Sequence, residues 1–376
     1  MLDAARLVHL ELRDFRNFAH AELAPPADGV VLVGDNGQGK TNVLESIAYL
    51  QILRSVRGAR DQDLVRFGAD AFHVGARVET DAAHEVGVGF ERSSRRKRVR
   101  LDGVVPPKLS DALGALPSVM FSPADVELIA GSPAARRRFL DIMLALTSRG
   151  YLGVLQRYRS ALAQRNAALR DAARAHRPSP DSISVWEPTL ARDGATIIAE
   201  RRAWLAAVAE RFTALGHDIG ESSRMQLRYA STIGETGDPR AALTAAFESK
   251  RAQDIRRALT HAGPHRDDLV ITLDGRDLRT FGSAGQQRTA AIALRMLEAS
   301  TFAERMGRAP VFLLDDPFAE LDVHRASRIL DLLTRTGGGH GQTILAVPRE
   351  NEIPRELTRL ERVRVRAGTL SPVSDA

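Results

Sequence analysis

The eight residues Gly34-Asp-Asn-Gly-Gln-Gly-Lys40-Thr41 fit the pattern G-x-x-x-x-G-K-[ST], and their flanks are those the pattern requires. Upstream, past Pro25-Pro26, Val30-Val31-Leu32-Val33 predicts a short buried strand, and downstream the apolar spacing predicts a helix from Asn42 to about Leu53. Strand, glycine turn and helix in that order allow the backbone N–H groups of Gly34, Asp35, Asn36, Gly37, Gln38 and Gly39 to turn inward on a phosphate. The helix N-terminus adds its dipole. Lys40 then reaches the β- and γ-phosphates, and the Thr41 hydroxyl ligates Mg²⁺. Lys40 is also one of only four lysines among 53 basic residues, in a chain that otherwise uses arginine. Nucleotide binding and an α/β core are the expectation.

Further along, Val311-Phe-Leu-Leu-Asp315-Asp316 is an apolar strand ending in two carboxylates. That arrangement delivers Asp315 to the Mg²⁺ shell and Asp316 to an attacking water; a buried strand ending in a solvated turn is the bland alternative. Ser283-Ala-Gly285-Gln286-Gln287-Arg288 precedes the apolar helix Ala290 to Leu297 and offers a hydroxyl, a glycine amide and a helix N-terminus to phosphate. By itself Ser-x-Gly before a helix is an ordinary cap.

The remaining sequence bounds the class. At about 150 residues per domain, 376 residues make one large domain or two to three lobes. With no cysteine, a disulfide scaffold, a thiolate zinc site and a cysteine nucleophile are excluded. Asp3, Glu11 and Asp14 interrupt any signal peptide, and no apolar run approaches the ~20 residues that span a bilayer. A soluble, cytoplasmic protein with no membrane partner is expected. The formal charge of +6 and pI near 10.1 favour a polyanionic partner, although a chain rich in alanine and arginine throughout accounts for the charge as well.

Val8, Leu10 and Leu12 alternate with polar residues, and Val74 to Val78, Val86 to Phe90 and Val99 to Leu101 predict an antiparallel meander. From Ser132, a predicted N-cap followed by Pro133, the stripes are helical: Phe139, Leu140, Met143, Leu144; then Leu155, Tyr158, Leu162, Leu169. After the Arg177-Pro-Ser-Pro loop come Leu190, Gly194, Ile197, Leu205, Val208, Phe212 and Leu215. Strand signals return at Leu269 to Leu273, before an Asp274-Gly275 turn, and at Val311 to Leu314 and Thr343 to Val347. The expected organisation is an ATPase lobe over 1–121, a helical lobe over 122–254, and a return to the core over 255–376.

Ser283 to Arg288, Asp315-Asp316 and Glu320-Leu321-Asp322 together resemble the signature, Walker B and D-loop of ABC-type ATPases. In those proteins one subunit's signature closes on the ATP held by the other, which implies ATP as the cofactor, a homodimer, and roles for Ser283, Gly285 and Gln286. Asp315 lies 275 positions beyond Lys40, more than transporter cassettes have and far too few for an SMC coiled coil. Leu10-Glu-Leu-Arg-Asp-Phe15-Arg16-Asn17-Phe18, Arg136-Arg-Arg-Phe-Leu-Asp141, Gln164-Arg165-Asn166, Gly263-Pro264-His265-Arg266-Asp267-Asp268-Leu269 and Leu314 to Asp322 resemble the bacterial RecF family, collinearly over essentially the whole chain. The resemblance implies an α/β, ABC-type, SMC-like P-loop head with an inserted all-α second lobe. It also implies a weak, DNA-stimulated ATPase that dimerises on ATP and binds duplex DNA or single-strand/duplex junctions. With RecR and RecO, such a protein helps load the recombinase at gaps. Arg16 and Asn17 would meet the nucleotide base, as in related heads, or form an exposed turn beside the first strand.

Some residues depart from or extend these patterns. Asp316 stands where many ABC proteins carry the longer glutamate, which suits slow hydrolysis. Pro348 stands where transporters carry a γ-phosphate-sensing histidine, so no sensor is assigned, and Gln51 and Gln62 are the Q-loop candidates. Arg92 to Arg98 places five basic residues in seven at a predicted hairpin tip, suited either to phosphate contacts or to a solvated turn. Arg136, Arg137 and Arg138 sit at the cation-disfavouring start of a helix and call for an anionic partner, DNA or an internal acid. His265 follows a Gly-Pro turn with no ligand spacing around it, so a structural loop is expected. Two other functions remain open: an ABC transporter's ATP-binding subunit and a P-loop small-molecule kinase.

Overall fold

The computed structural model describes residues 3–174, 181–317, 323–336 and 341–373. They form two compact units, Met1–Asp125 with Asp218–Gly220 and Ala291–Ala376, and Val126–His217 with Glu221–Ala290. The first begins with β1 (Asp3–Ala4), β2 (Arg6–Phe15), β3 (Phe18–Leu23), β4 (Gly29–Val33), α1 (Lys40–Ile52), β5 (Ala71–Glu79), β6 (Ala83–Glu91), β7 (Arg96–Leu101) and β8 (Ser118–Phe121). The second holds α2 (Glu127–Ala130), α3 (Pro133–Thr147), α4 (Arg149–Arg174), α5 (Asp181–Ser184), most of α6 (Glu187–Ile219), β9 (Met225–Ala230), α7 (Pro239–Arg257), β10 (Asp268–Leu273), β11 (Arg276–Asp277) and α8 (Leu278–Phe281). It also holds the start of α9 (Ala284–Met306), which continues into the first unit. The chain then adds β12 (Arg308–Ala309), β13 (Val311–Asp315), α10 (Val323–Thr336), β14 (Thr343–Val347), β15 (Glu361–Arg366) and β16 (Thr369–Pro372).

In the first unit the six-stranded sheet runs β16-β15-β4-β14-β13-β8, parallel except for β16, and the antiparallel sheet runs β3-β2-β5-β6-β7. Helix α1 packs on β8, β13 and β14 of the one and on β5 and β6 of the other. A helix covered on both sides buries nearly its whole circumference, and its polar residues there need partners. Accordingly Val43, Leu44, Ile47, Ala48, Tyr49 and Leu50 are all buried. Val43, Leu44, Ile47 and Leu50 each contribute about 1.5–3 kcal/mol of burial. The two ends of the chain share this unit, since β1 pairs with β12 and β4 lies between β14 and β15.

The structure revises several expectations. The β2 register shifts between Leu7 and His9, so Leu7 rather than Val8 joins Leu10 and Leu12 in the core, a bulge that periodicity cannot reveal. The inserted lobe is mainly helical but not all-α: β9, β10 and β11 form an antiparallel sheet, with Asp274 and Gly275 at positive φ in the tight turn. That sheet carries the second unit on to Ala290, past the expected boundary at 254. The stripes from Leu190 to Leu215 belong to one helix of 33 residues. Ser132 holds the N-cap position of α3 without a side-chain cap bond. The Arg177-Pro-Ser-Pro loop and Glu320-Leu321-Asp322 lie outside the described residues.

Candidate nucleotide-binding site

Parallel pairing sets the site. Leu32 and Asp315 both pair with Ala346, so the C-terminal ends of β4, β14 and β13 lie level, where an open α/β sheet receives ligands. The loop leaving β4 turns tightly, with Gly37 at φ 82° and Gly39 at φ 119°. A Cβ on Gly39 would strike Asn17 and Phe18, and one on Gly34 would strike the Val365 carbonyl. Only glycine fits both places.

Lys40 is buried, and its Nζ donates to the Gly34 carbonyl and, at 3.0 Å, to that of Asp35. Burial holds the ammonium below the usual lysine range, opposed by Asp315 and Asp316. Thr41 Oγ1 donates to Asp315 Oδ1 at 2.9 Å. Burial pushes the Asp315 carboxyl up, against the Thr41 hydrogen bond, and repulsion from Asp316 adds to the rise. Two oxygen donors beside an under-neutralised carboxylate are a set that suits a small hard cation such as Mg²⁺. Asp316 follows with φ 45° and donates its N–H to the Ala346 carbonyl at 3.0 Å. A non-glycine residue in that region is strained, a feature that concentrates at functional sites.

Arg16 and Asn17 form the two-residue turn between β2 and β3, with Arg16 at φ 56°. Asn17 Nδ2 donates to the Gln38 carbonyl at 2.8 Å, and Asn17 Oδ1 accepts from Asn42 at 2.8 Å. The turn is thereby fixed to the phosphate loop. The Arg16 guanidinium, however, donates to the fully buried Glu45 at 2.9 and 3.0 Å, which orients the turn from behind. Glu45 also accepts from Ser55 at 2.5 Å and from Arg57 at 3.5 Å.

The family model for the RecF/RecN/SMC N-terminal domain matches residues 6–369. A DNA replication and repair protein RecF from Chloroflexus aggregans is 36% identical over 397 residues, covering 96% of this chain and 98% of the relative. The chain belongs to the RecF family. The solved recombination mediator protein RecF-ATP of the RecFOR pathway superposes with a TM-score of 0.91 at 26% identity, over 100% of this chain and 99% of that one. An Smc head domain from Pyrococcus furiosus, at 16% identity and TM-score 0.57 over 98% and 96% of the chains, shares the fold. The fold is thus an SMC-like, ABC-type head.

The residues expected to form the signature, Ser283 to Gln286, lie in the second unit. Ser283 Oγ accepts from the Gln286 N–H at 3.3 Å while Gln286 Oε1 accepts from the Ser283 N–H at 3.0 Å, a reciprocal cap at the start of α9 beside Gly285. The capping alternative is therefore realised, with both residues still partly or fully exposed.

Gln51 is not at the phosphate edge. It accepts from Ser118 Oγ at 3.0 Å, at the opposite end of β8, and lies three turns along α1 from Lys40. Gln62 offers its carbonyl to Arg92. Register instead sets Phe121 level with Leu314, so Ser122 leaves the sheet beside Asp315.

At the basic hairpin only Lys97 turns inward, to the Leu53 carbonyl and Asp61; Arg92, which donates to the Ala69 and Gln62 carbonyls, and Arg95, Arg96 and Arg98 are exposed. Arg136 meets an internal acid, Asp268, through two bonds of 2.8 and 2.9 Å. His265 is structural: both ring nitrogens are bonded, to Tyr158 and to the Thr260 carbonyl, and burial pushes its pKa down to about 4.

Sequence reasoning missed two contributors. Arg57, half exposed, donates to Asn42 at 3.2 Å, and its charge is felt at Asp315. The β15–β16 turn holds the phosphate loop: the Ala367 N–H donates to Gln38 Oε1 at 2.6 Å and the Gly368 N–H to the Gln38 carbonyl at 3.2 Å. No local motif announces that turn.

Proposed function

We propose that the protein is an ATP-switched mediator of DNA recombination and repair. It binds ATP with Mg²⁺, closes into a homodimer, and holds duplex DNA or a single-strand/duplex junction. With RecR and RecO it aids recombinase loading at gaps, and slow, DNA-stimulated hydrolysis releases it. The cytoplasm is its compartment. The observation that carries the reading is the Thr41–Asp315 oxygen pair at the lip of a glycine loop whose lysine is buried among backbone carbonyls. The ATP-bound RecF relative supports the nucleotide, and the pathway it is named for supports the partners.

The backbone amides from Gly34 to Gly39 hold phosphate oxygens, and Lys40 neutralises charge at the β- and γ-phosphates. Bound Mg²⁺ supplies a Lewis acid that draws charge from the phosphates. Thr41 and Asp315 would hold it, Asp316 would orient the water and accept its proton, and Arg16 and Asn17 would shape the base end. Ser283, Gly285 and Gln286 of the partner would close on the γ-phosphate.

Membership of the RecF family disfavours the transporter-subunit reading, and a small-molecule kinase would use Ser283 only as a helix cap. The test is separation of binding from hydrolysis. Lys40→Ala should abolish ATP binding and ATP-dependent association. Asp316→Asn should bind ATP, lose turnover by about 10²-fold or more, and remain longer on DNA. An Asp316→Asn protein unable to bind ATP means that the two carboxylate roles are misassigned.

A further inference from the structure

The second unit contains a cavity of about 220 Å³ between α3, α4 and α6 that nucleotide binding does not use. Leu155, Leu162, Ile197 and Pro264 give it apolar walls, while Arg137, Arg138, Arg159 and Arg201 surround it with guanidiniums. Among the described residues its one lining carboxylate is Asp141. Asp141 is already engaged by Arg201 at 2.7 Å, Arg159 at 2.9 Å and the Tyr151 hydroxyl at 2.6 Å.

Nearby acids are also committed. Asp268 takes both bonds from Arg136, and Asp267 accepts from Tyr229, Ser231 and Thr232. Arg137, half-buried, donates to the neutral Asp267 carbonyl at 2.7 Å. Burial and the neighbouring Arg201 cation hold Arg137 below the usual guanidinium range. Arg137, half-buried against a neutral carbonyl, and Arg159 and Arg201, which share the one carboxylate of Asp141, leave the cavity with excess positive charge that attracts an anion. The Arg136 to Asp141 tract therefore does more than brace its lobe: Arg136 is the brace, and the next two arginines line a cavity.

The apolar walls choose among anions. A phosphodiester or a free phosphate would satisfy the arginines and leave unfilled the apolar part of the cavity, floored by the buried Leu155 and Ile197 and by the half-buried Leu162. A peptide with a branched apolar side chain between carboxylates fills both parts, in the manner of an anchor residue with a charged rim. We propose that this cavity docks a short acidic segment of a partner protein, which seats one bulky apolar side chain against Leu155 and Leu162 and gives its flanking carboxylates to Arg137, Arg138 and Arg159.

Fluorescence anisotropy of the full chain tests the site with fluorescein-labelled Gly-Asp-Glu-Leu-Asp-Gly, the same peptide with serine for leucine, and a labelled thymidine octanucleotide. The leucine peptide should bind about tenfold or more tighter than the serine peptide, about 1.4 kcal/mol. Arg159→Glu should weaken it about tenfold; Arg159 is exposed, and Asp141 keeps Arg201 and the Tyr151 hydroxyl when that contact is lost. Ala134→Trp, which fills the mouth without changing charge, should weaken it similarly while ATP binding stays unchanged. Equal binding of the two peptides would overturn the proposal, as would no binding of either. So would an octanucleotide that binds this protein, loses affinity in Arg159→Glu and is undisplaced by the leucine peptide.

Discussion

At the scale of single residues, Asp315 is placed against its own ionisation. Its carboxyl is raised above the ordinary 3.8 by burial and by Asp316. The sign follows from linkage: stability present below pH 3.8 is lost as pH rises through the higher folded value, so the ionised group destabilises the free protein at neutral pH. In the proposed site, Mg²⁺ held by Asp315 would reverse that penalty. Asp315→Asn keeps an acceptor for Thr41 and should melt higher than the parent at pH 8 without nucleotide. It should gain little from Mg²⁺ and ATP at concentrations where the parent gains about 2.7 kcal/mol at a hundredfold excess over Kd. Thermal melts with and without Mg²⁺-ATP decide it; a lower nucleotide-free melting temperature contradicts the account. Glu45 poses the opposite case, a fully buried carboxylate matched by Arg16, Arg57 and Ser55. Glu45→Ala strands the Arg16 cation and should cost about 3–5 kcal/mol in urea unfolding. A loss below 1 kcal/mol would show that the pair is solvated.

Among the elements, the β15–β16 hairpin has the least advertised role. Gly368 sits at φ 78°, and a Cβ there would meet the Asn17 carbonyl, so hairpin, phosphate loop and β2–β3 turn interlock. Gly368→Val should lift the turn off Gln38 and weaken ATP binding about tenfold while leaving far-UV dichroism intact. Unchanged ATP affinity by calorimetry would reduce the contact to decoration. This element also shows what a sequence hides. The glycine loop after β4 was legible as a conformation because its strand, turn and helix are contiguous, and β13 was legible because a buried strand is apolar throughout. Glu361-Arg-Val-Arg-Val-Arg366, by contrast, alternates charge with valine, and its partner β4 lies more than 300 residues away in sequence. Strand β9 was missed for the same reason, since Met225–Ala230 is short and half-polar and pairs with β10 across an intervening helix. The β2 bulge moved the core from Val8 to Leu7, a phase change made by pairing and not by composition.

For the whole molecule, the residues of the proposed composite site belong to different compact units: Lys40, Thr41, Asp315 and Asp316 in one, Ser283 to Gln286 in the other. The expected boundary at 254 concealed this, because it assigned the signature to the returning core. Ser283 already caps its own helix, so its proposed second duty toward a partner's ATP is the central claim. Sedimentation velocity of Ser283→Arg with and without ATP and Mg²⁺ tests it most directly, with ATP binding followed in the same samples. The parent should shift from monomer to dimer on ATP, while Ser283→Arg should bind ATP with near-normal affinity and sediment as a monomer throughout. Dimerisation of Ser283→Arg at parental ATP concentrations, or loss of ATP binding by its monomer, would contradict a site closed in trans.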